Sequence, residues 1–365
     1  MRASELGIRI GRLDRGAHNA ITDVEGVRVG QRTVWSGEHG GAEPVLRTGV
    51  TAVMPSASIL HERLYAATSV FNGYGEMTGK IVIDEWGLLG TPILLTNTVS
   101  VGRVYDATVQ WMFSRPQRGP NLMDIEIPVV AETWGGYLND DTVGGVTDED
   151  VFAALDGAIG GPVEEGSVGS GTGMSLFAYK GGIGTSSRVV EFGGARYTVG
   201  VLLQTNYGKA HRLTVAGVPV GELLDDREDR APAPAKEGSC IAVVATDAPL
   251  HPLQLRRLAR RVDAGLARTG SVASETSGEI FMAFSIANRI PAYRKDTSTQ
   301  IEVLIEGSTG QGLDLLFEAT ADATEEAALN ALFAGVTVTG VNGHIVRAAP
   351  VDRIVELLKE RGVIQ

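Results

Sequence analysis

Short apolar, β-branched runs separated by glycine-rich turns dominate the first half of the chain. Residues 27–29, 50–54, 129–133 and 199–204 read as strands of this kind. Two helical segments interrupt them. In 100–115, Val101, Val104, Tyr105, Val109 and Met112 recur at near-helical spacing. In 147–157, Thr147 is an N-cap candidate with acidic residues in the turn after it. The pattern breaks over 222–238, which ends in a polar, proline-rich stretch without periodicity and reads as an exposed linker. Directly after it, Ser239–Thr246 is apolar and β-branched, a buried strand with almost no lead-in. Beyond lies a helix over 249–268, with Leu255, Leu258, Val262 and Leu266 on one face and proline in its first turn. Residues 278–287 read as a largely buried strand and 301–307 as a further short one. Helices follow at 324–333 and 351–361, the second stopped by Gly362.

The chain has 365 residues, 43% hydrophobic and 21% charged, enough to bury a large core, and is read as one domain over 1–365. Its 47 glycines follow no three-residue period, which excludes collagen. A net charge of −12 argues against nucleic acid as a partner. The densest basic cluster, Arg256, Arg257, Arg260 and Arg261, falls on a predicted helix and reads as a solvated face. A lone cysteine, Cys240, excludes an internal disulfide and a cysteine metal cluster. With neither a signal-like N-terminus nor a long apolar run, the expectation is a cytoplasmic protein that does not engage membranes.

Several motifs fail on inspection. Gly166–Gly173 is glycine-rich but meets neither phosphate-loop spacing. His61-Glu62 opens like a zinc motif, yet Tyr65 stands where the second histidine belongs. The six histidines are scattered, so no metal or other cofactor is expected. No serine sits in a G-x-S-x-G elbow.

What survives is Gly238-Ser239 at the junction of linker and strand. A serine needs a base to act as a nucleophile. If Ser239 were the first residue of a chain, its own α-amine, with a pKa of roughly 7.7–8.0, could serve. The hydroxyl could first cut the chain itself, by attack on the Gly238 carbonyl. Glycine there permits both a positive φ and close approach. The bland alternative is a turn before a strand. Cys240 points to the other face and reads as a small buried hydrophobe. Ser277 and Glu279, two apart on a strand, share a face. They could orient a serine, or simply decorate an edge.

At this point the residues match a known family. The chain resembles the L-aminopeptidase/D-amidase-esterases and β-peptidyl aminopeptidases nearly end to end. The landmarks are Asn19–Gly30, Asn72–Gly79, Thr96–Gly102, Gly169–Met174, Lys180–Arg188, Asn206–Gly208, Leu213–Gly221, Gly238–Ser239, Thr246–Leu250 and Ser277–Phe281. The resemblance implies an α+β fold, a four-layer αββα sandwich like the N-terminal-nucleophile (Ntn) hydrolases. It implies self-cleavage into 1–238 and 239–365, with Ser239 as nucleophile, oriented by Ser277 and Glu279. By position, Asn206 matches an oxyanion-stabilising amide and Tyr137 its hydroxyl partner, although Trp134 competes for that tyrosine's place. Glu132 matches the carboxylate that grips a substrate ammonium. Cys240 and Ala242 depart from the larger aliphatic residues expected after the nucleophile. The implied activity is release of N-terminal amino acids from small peptides, amides or esters by a homo-oligomer of processed αβ units. The alternatives are an acetyltransferase of the ornithine type, which uses threonine, and an unprocessed binding protein.

Overall fold

The computed structural model describes residues 1–115, 126–225, 238–293, 296–307 and 312–365. The first two strands, β1 (Arg28–Ser36) and β2 (Leu46–Met54), form a hairpin. They join β5 (Ile93–Asn97) and β6 (Val129–Thr133) in a four-stranded sheet of order β1-β2-β5-β6. A six-stranded sheet runs β4-β3-β12-β11-β10-β9. Its strands are β3 (Glu62–Gly73), β4 (Leu88–Leu89), β9 (Ile183–Phe192), β10 (Ala195–Asn206), β11 (Ser239–Thr246) and β12 (Gly278–Pro291). Two short ladders complete the set: β7 (Ser175–Leu176) with β8 (Tyr179–Lys180), and β13 (Val338–Thr339) with β14 (Ile345–Val346).

Helices cover the outer faces. The short α1 (Lys80–Trp86) follows β3. Both α2 (Val101–Phe113) and α3 (Asp148–Asp156) lie on the smaller sheet. After α4 (Val220–Leu223), the larger sheet is covered by α5 (Pro252–Ala259), α6 (Arg261–Arg268) and α7 (Gly312–Phe333), with α8 (Val351–Glu360) adding to the same core. The layers are helix, sheet, sheet, helix, the α+β arrangement that the resemblance implies. No helix among the described residues is long and apolar enough to cross a membrane.

Strand alternation divides the interior. Along β11, Cys240, Ala242 and Val244 enter the core beneath α5–α8, whereas Ile241, Val243 and Ala245 enter the core between the sheets. On β12, Phe281 and Ala283 face the helices, and Ile280 and Met282 face the other sheet. Position parity therefore turns Ser239 and Gly278 toward the opposing sheet, and Cys240 and Glu279 toward the helices.

Three sequence expectations need correction. The helix over 249–268 breaks at Arg260 into α5 and α6. Residues 301–307 form no strand. The segment is tied by side chains instead: Asn288 brackets Glu302 through both backbone groups, and the Gln254 amide donates to the Leu304 carbonyl at 2.7 Å. The helix placed at 324–333 runs from Gly312. Its C-terminal two-thirds is buried on every side, so it lacks the one-sided pattern that betrays a surface helix. It even buries Glu326, whose charge is met by the equally buried Arg188 at 2.6 Å and by Arg15. Most of the linker, 226–237, lies outside the described residues.

Candidate active site

The two sheets meet around the first residue of β11. Ser239 pairs with Asn206, the last residue of antiparallel β10, and with Gly278, the first residue of parallel β12. All three thus sit at one end of the sheet. Cross-strand partners share a face, so the side chains of Ser239 and Asn206 both turn toward the smaller sheet. Each is only 6% exposed.

The amide of Asn206 is held from both ends. Its oxygen accepts from the Ser175 N–H at 3.0 Å, and its nitrogen donates to the Trp134 carbonyl at 2.8 Å. An amide nitrogen carries two protons, so one donor remains for a further acceptor. The loop bearing Ser175 is anchored by Lys180. This lysine is fully buried, and its Nζ donates to the carbonyls of Gly171, Met174 and Gly181 at 3.1, 2.6 and 2.9 Å. Burial lowers its pKa to about 7, whereas three carbonyl acceptors favour the ammonium.

Gly238 presses against Asn206. A Cβ built there would lie 2.7 Å from both the carbonyl carbon and Nδ2 of Asn206. Gly238 is not among the residues with positive φ, so close approach alone demands glycine here, and the positive φ that the sequence allowed is not used.

Glu132, buried at the end of β6, belongs to the opposing sheet. It accepts from the Glu76 N–H at 3.0 Å and from the Thr98 hydroxyl. Burial raises its pKa, and these two bonds work against that rise. Its Oε1 would lie 3.2 Å from a Cβ on Gly75, and a Cβ on Gly278 would meet the backbone of Tyr74 and Gly75. Glu132 therefore pins the 74–76 loop over the same face of the larger sheet that carries Ser239. Gln204 ties the sheets together here, donating to Thr96 O at 2.8 Å and Thr133 Oγ1 at 2.7 Å.

Ser277 and Glu279 are bonded to each other, hydroxyl to carboxylate, on the helix-facing side of β12. Among the described residues no hydrogen bond joins them to the Ser239 side chain. Burial lifts Glu279 to about 7, with Ser277 and Asn72 opposing the rise. Cys240 lies on that side too, and burial raises its thiol well above the ordinary value, leaving a poor nucleophile. Tyr137 stacks on His344, with centroids 4.3 Å apart, beside a small cluster of Leu138, Val338 and Val346. Trp134, 41% exposed, flanks Asn206 through its carbonyl.

Sequence reasoning gave no role to Thr98, Ser175 or Lys180. Thr98 and Lys180 fall inside quoted landmarks and Ser175 directly follows one, so position marked them but chemistry did not. Asp263, near Glu279 on α6, carried no signal beyond a polar residue on an amphipathic helix.

A layered α+β fold whose two sheets meet over a serine at the head of a central strand defines a hydrolase of the Ntn-like class, and the activity is that of an aminopeptidase. The chain belongs to peptidase family S58, whose profile matches residues 19–346. It is 44% identical to the β-peptidyl aminopeptidase BapA of Sphingosinicella microcystinivorans, over 98% of this chain and 92% of that one. Among solved structures it resembles the L-aminopeptidase D-Ala-esterase/amidase of Ochrobactrum anthropi, described as a variant of the Ntn-hydrolase fold. The TM-score is 0.92 at 40% identity, with 100% of this chain and 99% of that one covered. A β-aminopeptidase from Burkholderia sp. matches with a TM-score of 0.89 at 41% identity, covering 99% of both chains. These likenesses favour a peptidase over an acetyltransferase or a binding protein.

Proposed function

We propose that this chain cuts itself between Gly238 and Ser239, and that Ser239 then serves as the nucleophile of an aminopeptidase acting on small amides, esters and peptides with a free amine. The observation that carries this reading is the register of Ser239: first residue of a buried central strand, on the inter-sheet face, directly opposite Asn206. In self-cleavage the Ser239 hydroxyl adds to the Gly238 carbonyl. The peptide C–N bond then breaks, the proton passes to the new amine, and water hydrolyses the ester.

In turnover the α-amine takes the hydroxyl proton while Oγ attacks the substrate carbonyl, and returns it to the leaving group. The remaining N–H of Asn206 receives the oxyanion. Tyr137 is the expected hydroxyl partner, and its stacking on His344 is the restraint that would fix its ring. Glu132 receives the substrate ammonium beside the 74–76 loop. Ser277 and Glu279 lie next to the strand edge where the freed amine would stand, and they orient it. The relatives' names point to substrates of β-peptidyl or L-aminoacyl type, and the family reading adds a homo-oligomer of processed units.

The test is the intact mass of wild type beside Ser239→Ala. Two wild-type fragments meeting at Gly238/Ser239, with an intact and inactive variant, are expected. A single full-length mass in an active wild-type preparation would refute the reading.

A further inference from the structure

Lys180 is a buried cation without a counter-ion. No part of it reaches solvent, and among the described residues no carboxylate pairs with it. Burying an unpaired ion is costly, and a packed aliphatic side chain would avoid that cost. Its three carbonyl acceptors match the three N–H groups of an ammonium, whereas a neutral amine has only two. One of the three contacts leads to the site. Nζ donates to the Met174 carbonyl at 2.6 Å. The same peptide unit carries the Ser175 N–H, which donates to Asn206 Oδ1 at 3.0 Å. A single peptide plane therefore has the ammonium at its oxygen end and the Asn206 amide at its nitrogen end. A cation at a peptide oxygen draws electron density from the N–H, and linked hydrogen bonds polarise one another in the same sense. Carried through Asn206, the effect makes its remaining Nδ2–H a stronger donor.

The backbone around this peptide is held under strain. Phe177 and Ala178, which join β7 to β8, have φ values of 52° and 65°. Both lie in the left-handed region, as in the tight hairpin turn that favours Asn-Gly. Neither is glycine, so the surroundings must impose the turn. The Phe177 N–H donates to the Tyr207 carbonyl at 2.8 Å, and the two rings meet edge to face with centroids 5.4 Å apart. Gly208 leaves room for that ring, since a Cβ there would stand 2.4 Å from it. On the other strand the Lys180 N–H donates to the Arg347 carbonyl at 2.7 Å. The hairpin is thus fastened to Asn206 and to its neighbour Tyr207, and Lys180 closes it from within.

We infer that Lys180 is a positioning residue of the reaction: through the Met174–Ser175 peptide its ammonium holds and polarises the Asn206 amide that receives the oxyanion. The inference rests on the reading of Asn206 given above. Lys180 touches neither substrate nor Ser239, and its effect on the chemistry runs through Asn206 alone. The contact strengthens a bond made as charge develops in the transition state, so it acts on kcat and not on KM.

The test is a double-mutant cycle on the processed protein, with Lys180→Met and Asn206→Ala made singly and together. The readout is kcat and KM on an aminoacyl p-nitroanilide that the wild type hydrolyses, with a melting curve for each variant. Lys180→Met should lower kcat by about 10–10²-fold in the otherwise wild-type chain and leave KM unchanged. In the Asn206→Ala chain it should lower kcat by less than about twofold, because the group it acts through is gone. A residue that only supports the fold would lower kcat by the same factor in both. Equal losses in the two backgrounds, or wild-type kcat in a folded Lys180→Met protein, would overturn this inference alone. Wild-type kcat in Asn206→Ala would overturn the reading of Asn206 as the oxyanion donor, and this inference with it. Where Lys180→Met gives no cooperative melt, Ser175→Pro takes its place in the cycle with the same expectations, since it deletes the N–H at Asn206 and leaves the three carbonyl contacts of Lys180.

Discussion

Replacing Gly238 by alanine separates a steric requirement at the proposed scissile bond from a conformational one. The φ at Gly238 is not left-handed, so alanine incurs no backbone penalty there. Its methyl, however, would stand 2.7 Å from the carbonyl carbon and from Nδ2 of Asn206, with the carbonyl oxygen nearer still. Carbon needs over 3 Å from such atoms, and the carbonyl oxygen, the nearest of them, sets the shift, so the two segments must part by roughly 1.5 Å. Neither obstacle yields easily. The carbonyl belongs to β10, laddered to both β9 and β11, and the amide is tied to Ser175 and Trp134. Overpacking of this kind costs about 1–3 kcal/mol, which leaves the chain folded. A displacement near 1 Å at reacting groups slows chemistry by about 10²-fold. A time course of intact mass after purification should therefore show Gly238→Ala cleaving about a hundred times more slowly than wild type. A melting curve beside it should show a folded protein. Cleavage at the wild-type rate would refute the argument, because the contact with Asn206 would then play no part in positioning the bond.

Three further outcomes are expected. Asn206→Ala should lower kcat by about 10²–10³-fold with little change in KM, since the lost donor acts on the developing oxyanion; an equal rise in KM would assign Asn206 to substrate binding instead. Lys180→Met strips the partner from three buried carbonyls and should destabilise the chain by roughly 3 kcal/mol or more, read by denaturant unfolding. Asp263 and Glu279 both titrate near 7 when folded, against ordinary values of 3.8 and 4.5. The folded state then binds more protons than the unfolded one across that window, so stability falls as pH rises through it. Asp263→Asn should melt higher than wild type by a margin that widens from about pH 5 to about pH 8. Other acids, such as Glu165, contribute to both curves alike, so the difference is the quantity to read.

Local pattern carried the fold where one face of an element is wet or where alternation is clean. Val129–Thr133 and the start of β11 stand where the apolar runs put them. The capping box at Thr147, with its reciprocal bonds to Asp150, marks the start of α3 as its sequence suggests. The pattern failed in α7, whose polar residues are buried and paired by partners far along the chain: Asn330 Oδ1 accepts from Ala3 N–H, and Glu326 meets Arg188. No local rule encodes such a partner. At the site, Ser239, Gly238 and the Ser277/Glu279 pair were legible from junction and spacing. Asn206, Tyr137 and Glu132 came from resemblance alone. Thr98, Ser175 and Lys180 act by holding other groups, and a holding role shows itself only when the held group is in view.

The topology explains why these segments converge. In the six-stranded sheet every described pairing is antiparallel except β11 with β12, and in the smaller sheet every one except β5 with β6. Each parallel pair needs a crossover, supplied by α5 and α6 in one case and α2 in the other. A parallel pair also brings like ends together. In the larger sheet it sets the N-termini of β11 and β12 side by side, so Ser239 lies beside Gly278 and its flanking Ser277 and Glu279. In the smaller sheet it aligns C-termini, so Thr96 and Asn97 lie beside Glu132 and Thr133. The sheets stack with these two ends in contact, through Gln204 to Thr96 and Thr133. An antiparallel pairing at either place would carry one member of each set to the far edge of its sheet, some 17–20 Å away for strands of ordinary length. The placing of Ser239 beside Ser277 and Glu279, and of Thr96 beside Glu132, is thus a consequence of two crossovers, while the antiparallel pairing of β10 with β11 brings in Asn206. Shortening either crossover should separate the groups before it unfolds the sheets.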